Sequence, residues 1–297
     1  ARNQALTFYG KRKIKHEELS GIDWLLDLFI YPDKGLDQKV FNIRSPEVLD
    51  VLALEWTNNF HKYSYNEIFP GVQNQLHLIQ SVFEKKEEDR DVFEAQLVEI
   101  YQNVMKFREI VSSFSCLLPM FTVYESETAQ KLHIQPGQYT SYAHIMSHRE
   151  SLFDISQDIL SKSEESWSDS EREVALLLYN LQQTSKDEFA KALKIIPPSK
   201  NDSTGVWISP WELLDGRVIE PHQDKIIKSM EAYLLARYEK NADAENDALR
   251  LYKSGLLSFP GERVNFSILK QESWLNRANL FTISLIFYLF GFILLGT

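Results

Sequence analysis

The strongest helical signal in the chain is VQNQLHLIQSVFEKKEEDRDVFEAQLVEIYQNVMKFREIVSSF, residues 72–114. Leu76, Ile79, Phe83, Val92, Leu97, Ile100, Tyr101, Val104, Met105, Phe107 and Val111 recur there at threes and fours, the period that lines one face of an α-helix. The charged run EKKEEDRD, residues 84–91, interrupts them. The expectation is a pair of helices, or one long helix with a solvated middle. The charge run reads as a water-facing helix surface and not as a ligand site.

The flanks carry the same kind of signal. Towards the N-terminus, Ser64-Tyr65-Asn66-Glu67 is a capping box, in which the Ser and Glu side chains satisfy each other's orphan amides. Ser45-Pro46-Glu47 combines a cap oxygen, a proline suited to the first helical position and a carboxylate at the positive helix end. Trp24, Leu25, Leu28 and Phe29 share one face of a short helix that Ser20 can cap. Lys39 to Ile43 alternates as a short strand does. Residues 116–140 are loop-rich. A helix is predicted from Tyr142 to Ser161. Ser168 to Glu171 and Ser209-Pro210-Trp211-Glu212 open two more. Leu193 to Ile196 reads as a strand, and Pro221 to Tyr252 as one long helix ending at Gly255.

Residues 278–297, ANLFTISLIFYLFGFILLGT, carry no charge. At 1.5 Å per residue that length spans roughly the 30 Å hydrocarbon core of a bilayer. Lys270, Trp274 and Arg277 precede it, as a snorkelling cation and an interfacial ring would. The fold class expected is therefore mainly α: an irregular helical soluble domain with a few short strands, residues 1–277, followed by a C-terminal transmembrane helix, residues 278–297. A sub-boundary is available near 116–140. The chain opens Ala1-Arg2-Asn3, without an initiator Met or a signal peptide, and the expectation is a segment of a longer membrane protein.

Forty-two acidic residues against thirty-two basic ones give a net charge of −10. That balance argues against a nucleic-acid partner, which needs a basic surface. The single cysteine, Cys116, excludes an intrachain disulfide, a CxxC redox site and a cysteine cage for zinc. There is no GxSxG, P-loop, GxGxxG, HExxH or CxxCH motif. The sequence nominates no catalytic residue. The best ligand-like spacing is His144-Ile145-Met146-Ser147-His148, since histidines four apart on a helix share a face and can hold a metal or flank a haem. Against this, no Asp, Glu or Cys stands at helical spacing to complete a site, and the pair also reads as polar surface with His133 nearby. His61 and His77 read as surface residues. Trp24, Trp56, Trp207, Trp211 and Trp274 lie beside predicted helix ends and read as core or interface anchors.

Several blocks together resemble the extracytoplasmic region of the fused ResB/CcsA-type, system II, cytochrome c biogenesis proteins. They are Trp24-Leu25-Leu26 through Pro32, Lys39 to Ile43, Pro46-Glu47-Val48, Leu52-Ala53-Leu54, and Tyr63 to Ile68. Further on are Pro197-Pro198 with Trp207-Ile208-Ser209-Pro210, and Glu272 to Asn276 leading into Phe281 and Tyr288-Leu289. Family members carry a Gly-Arg-x-Lys-Pro-x-Asp-Thr stretch just before a segment like Ala1-Arg2, and it is missing here.

The resemblance implies a parent protein in the inner (cytoplasmic) membrane, a holocytochrome c synthase that exports haem and attaches it to CxxCH sites of apocytochrome c. The haem-ligating histidines and tryptophan-rich loop of that family belong to its membrane half, so no family ligand maps onto this chain. What the resemblance implies for residues 1–277 is a non-catalytic periplasmic scaffold that presents apocytochrome c to the haem-handling transmembrane half. The alternative is an extracytoplasmic ligand-sensing domain of a membrane signalling protein.

Overall fold

The computed structural model describes residues 13–14, 19–56, 61–186, 188–191, 193–200, 202, 205–215, 219–259 and 266–277. The expected membrane span, 278–297, lies outside them. No helix among the described residues is long and apolar enough to cross a membrane. The chain is mainly helical, with only short strands.

Two-residue strands β1 (Lys13–Ile14) and β2 (Leu19–Ser20) pair ahead of helix α1 (Gly21–Ile30) and the short α2 (Pro32–Leu36). Of the strand expected at 39–43, only β3 (Phe41–Asn42) forms. After α3 (Pro46–Val51) it pairs with β4 (Lys62–Tyr63). The caps read at Ser45 and Ser64 are in place. Ser45 Oγ accepts from Val48 N–H at 3.4 Å. Ser64 Oγ accepts from Glu67 N–H at 3.3 Å, and the Glu67 carboxylate accepts from Ser64 N–H at 2.7 Å, opening α4 (Tyr65–Asn74).

The charged run proves to be a break. Helix α5 (Leu76–Glu84) stops, a 3₁₀ turn covers Glu87–Asp89, and a new capping box of Asp91 and Glu94 starts α6 (Val92–Ser112). Arg90 turns back onto α5, its Nε donating to Val82 O at 3.1 Å and its Nη2 to Lys85 O at 3.1 Å. Val82 O also accepts from Lys85 N–H at 3.2 Å, and a cation at this negative helix end is stabilising. Lys85 and Glu94 bridge the two helices across the turn.

Helix α6 is the axis of the molecule. Helices α1 to α5 all touch it, as does the 3₁₀ segment Glu188–Lys191. Leu97, Val104 and Phe107 are completely buried on it. The Phe41 ring meets Phe107 edge-on at 5.4 Å between centroids, and Phe29 meets Phe114 at 4.6 Å.

Beyond α6, strands β5 (Pro119–Thr122) and β6 (Tyr139–Ser141) flank α7 (Ser126–Lys131) and pair antiparallel. Residues 116–140 contribute Cys116, Leu117, Phe121, Val123, Ala129 and Leu132 to the main core. The helix expected over 142–161 is two: α8 (Tyr142–Ser147) and α9 (Arg149–Leu160). Helix α10 (Asp169–Ser185) starts at the Ser168–Glu171 capping box, and α11 (Pro210–Leu214) at the Ser209–Glu212 one. The strand expected at 193–196 is a single bridge, Ile196 to Ile208.

The long helix expected from Pro221 is also two, α12 (Pro221–Tyr238) and α13 (Ala242–Leu257). Lys240 takes φ +58° and Asn241 accepts from Ala244 N–H at 3.1 Å, so a left-handed turn and a fresh cap separate them. Helix α14 (Phe266–Arg277) follows. Arg237 of α12 joins α1 to α13: it lies 2.9 Å from Asp23 and 3.8 Å from Asp27 on α1, and 3.8 Å from Glu245 on α13.

Gly71 marks the tightest approach. A Cβ there would lie 2.2 Å from the Leu52 carbonyl oxygen. In an ordinary helix Gly→Ala stabilises by about 0.5–1 kcal/mol. Here Gly71→Ala is expected to destabilise by about 1–3 kcal/mol, the usual cost of overpacking. Phe107→Ala should cost about 3–5 kcal/mol. Urea unfolding measures both, and a stabilised Gly71→Ala chain would contradict the close α3–α4 contact.

Candidate functional site

The two histidines singled out by spacing do meet, and a third joins them. The His144 and His148 rings lie 4.9 Å apart between centroids, and His133 lies 4.8 Å from His148. Three elements place them. His133 follows α7 in a left-handed turn, φ +55°. His144 sits in the first turns of α8, whose cap is Ser141: its Oγ accepts from His144 N–H at 2.9 Å. His148 is the junction residue between α8 and α9.

The junction explains why no single helix runs from 142 to 161. The Ser147 hydroxyl donates to His144 O at 2.7 Å, and His148 Nδ1 lies 3.0 Å from the same oxygen. Side chains that bond a helix's own carbonyls compete with the ladder that would continue it.

These contacts also assign the ring protons. A carbonyl only accepts, so His144 donates through Nε2 to Leu132 O, at 3.0 Å, and His148 through Nδ1. One nitrogen of each of these two rings is thereby engaged with backbone. Among the described residues no group of three or more His, Cys, Asp or Glu is arranged to hold a metal ion.

The cluster is electrostatically loaded instead. Burial lowers the pKa of His148 below its ordinary 6.5, and positive charge at His144, His133 and Lys228 of α12 pushes the same way, against the favourable bond to the His144 carbonyl. Beneath it the Ser141 hydroxyl donates to the carboxylate of Glu231, on α12. This bond links the start of α8 to a helix 90 positions away, and no local signal could have revealed it.

Two other features bear on chemistry. Cys116 is fully buried and desolvation pushes its thiol up, so it is an inert core residue and not a nucleophile. An open groove of about 720 Å³ lies between α2, the end of α6, β5 and the end of α10; Arg108, Lys186, Asp33, Leu36, Met120 and Gln183 line it.

Charge is unevenly distributed. From Glu125 to Glu173 there are ten carboxylates against Lys131, Arg149, Lys162 and Arg172, which leaves six of the ten net negative charges in this stretch. It includes α7 to α9 and the histidine cluster. No protein-family model, curated protein or solved structure matches this chain.

His148 generates a pH test. Its folded pKa is lowered, so below about pH 6.5 the unfolded chain takes up a proton that the native ring resists. The contribution is neutral above that pH and is lost as pH falls towards the folded pKa. His148→Gln is expected to make stability fall less steeply between pH 7 and 5, measured by chemical denaturation at each pH; an unchanged slope would show that the ring titrates freely.

Proposed function

We propose that this chain is the extracytoplasmic part of a system II cytochrome c synthase, anchored in the inner (cytoplasmic) membrane with its soluble part in the periplasm. In this reading it holds apocytochrome c while the haem-handling transmembrane half of the same protein attaches haem at the CxxCH site. The observation that carries the reading is the carboxylate excess from Glu125 to Glu173. Cytochromes c are often basic, and opposite charge steers encounter and fixes orientation. The chain's own residues bind and orient the polypeptide and take no part in bond-making. Cys116, the single cysteine, is inert in the core.

A second reading, an extracytoplasmic ligand-sensing domain of a membrane signalling protein, draws on the groove. Its combination of Arg108 and Lys186 with Leu36 and Met120 suits a small anion with an apolar body.

The full chain in nonionic detergent is expected to bind a basic apocytochrome polypeptide. Its affinity should fall about tenfold or more between about 0.01 and 0.15 M salt, as the screening length shortens from about 30 to about 8 Å. Fluorescence anisotropy reads this out, and salt-independent binding, or none, rejects the first reading. The sensor reading expects a small carboxylate or phosphate to raise the melting temperature, and the rise to disappear in Arg108→Gln or Lys186→Gln chains.

A further inference from the structure

Among the described residues, helix α9 has a face without a partner. Its inward side is Leu152, Ile155 and Ile159, all buried. Ile155 and Ile159 join Val174 of α10 in a small core separate from the main one, with Trp167 and Leu178 packed against it. That side accounts for the helix's place in the molecule.

The outward side has its own order. Phe153 and Leu160 are 62% and 69% exposed, too open to be edges of the core. They stand seven residues apart, two turns, and so lie on one line along the helix. Beside them runs Glu150, Asp154 and Asp158, spaced by four and all exposed. Single exposed apolar residues are ordinary. An apolar line with a parallel line of carboxylates is the complement of an amphipathic helix that carries Lys or Arg next to its apolar stripe.

Among the described residues no salt bridge takes up Glu150, Asp154 or Asp158, although Arg149 opens the same helix. Lys131 bonds Glu127 at 2.8 Å, and Lys162 bonds Glu171. Asp158 contributes to the field at both lysines but is bonded to neither. A partner bringing its own cations meets carboxylates still open to pairing.

We infer that the outward face of α9 docks a basic amphipathic helix of a partner polypeptide, with Phe153 and Leu160 as apolar anchors and Glu150, Asp154 and Asp158 reading the cations. The inference rests on the proposed function for a basic polypeptide partner, and adds the surface and the helical form. Binding modes of this type use anchors at i, i+3, i+4 and i+7.

The test uses the full chain in nonionic detergent with Gln157→Cys, in the middle of the face, carrying an environment-sensitive dye; Cys116 is buried and stays unlabelled. The probes are an 18-residue Leu/Lys amphipathic helix, an oligolysine of equal charge, and a basic apocytochrome polypeptide. The amphipathic helix is expected to bind at least about tenfold more tightly than oligolysine, and Phe153→Ser with Leu160→Ser, or Asp154→Asn with Asp158→Asn, to weaken it by about tenfold, some 1.4 kcal/mol. Because all four side chains are exposed, melting temperatures should not change. Equal binding of oligolysine, or binding untouched by both double variants, overturns the inference. An amphipathic helix that binds here while apocytochrome does not leaves the face standing and removes the proposed function. Apocytochrome binding that ignores both double variants does the reverse.

Discussion

A 21-residue helix crosses the middle of this protein, and it must be covered on several sides at once. Leu97, Val104 and Phe107 have no exposure at all, and such side chains reach water-free surroundings only if several elements arrive from different directions. Helices α1 to α5 supply that cover from the N-terminal side, and the segment around Glu188–Lys191 from the other. This constraint accounts for much of the irregularity elsewhere. Short helices joined by turns can wrap a central rod; two or three long ones would leave parts of it bare. Gly71 shows how tight the wrapping is, because the backbone of α4 lies where a Cβ would collide with Leu52.

Charge is used in two different ways. Inside, Arg237 joins α1, α12 and α13 through Asp23, Asp27 and Glu245. Burial opposes the guanidinium's charge, yet the nearby carboxylates hold its pKa above the ordinary value. The Asp23 contact spans 214 positions of sequence, so this ion pair joins elements far apart along the chain. Outside, the charges are mostly single-signed and solvent-exposed from Glu125 to Glu173. A field of that kind adds little to stability and acts mainly on what approaches the surface.

The histidine cluster lies where these two uses meet. It sits inside the acidic stretch, but its rings bond to backbone carbonyls and its base is tied to Glu231. Spacing found His144 and His148 and suggested a shared helix face. The rings are indeed neighbours, although the helix that was to hold them breaks at His148. The third ring, His133, comes from a left-handed turn that no periodicity marks. What spacing could not reveal is that His144 and His148 each already have a backbone partner, which fixes how their rings are turned.

The sequence by itself determined where several of the helices start. Four boxes of the type Ser-x-x-Glu or Asp-x-x-Glu cap α4, α6, α10 and α11 with both reciprocal bonds made, because a cap depends only on four consecutive residues. It also marked much of the inward face: Leu97, Val104, Phe107 and Val111 recur at the helical period and are buried, while Leu76, Phe83 and Val92, at the same period, are exposed. Helix ends were another matter. The run at 84–91 became a turn because Arg90 reaches back to α5, the helix from Tyr142 broke where Ser147 and His148 bond His144, and that from Pro221 reversed at Lys240. Each of those choices is a competition between extending a ladder and packing what comes next, and only the assembled core decides it. The same holds for the Arg237 bridge and the bare face of α9: which side chains meet, and which are left facing water, depends on neighbours that lie far away along the chain.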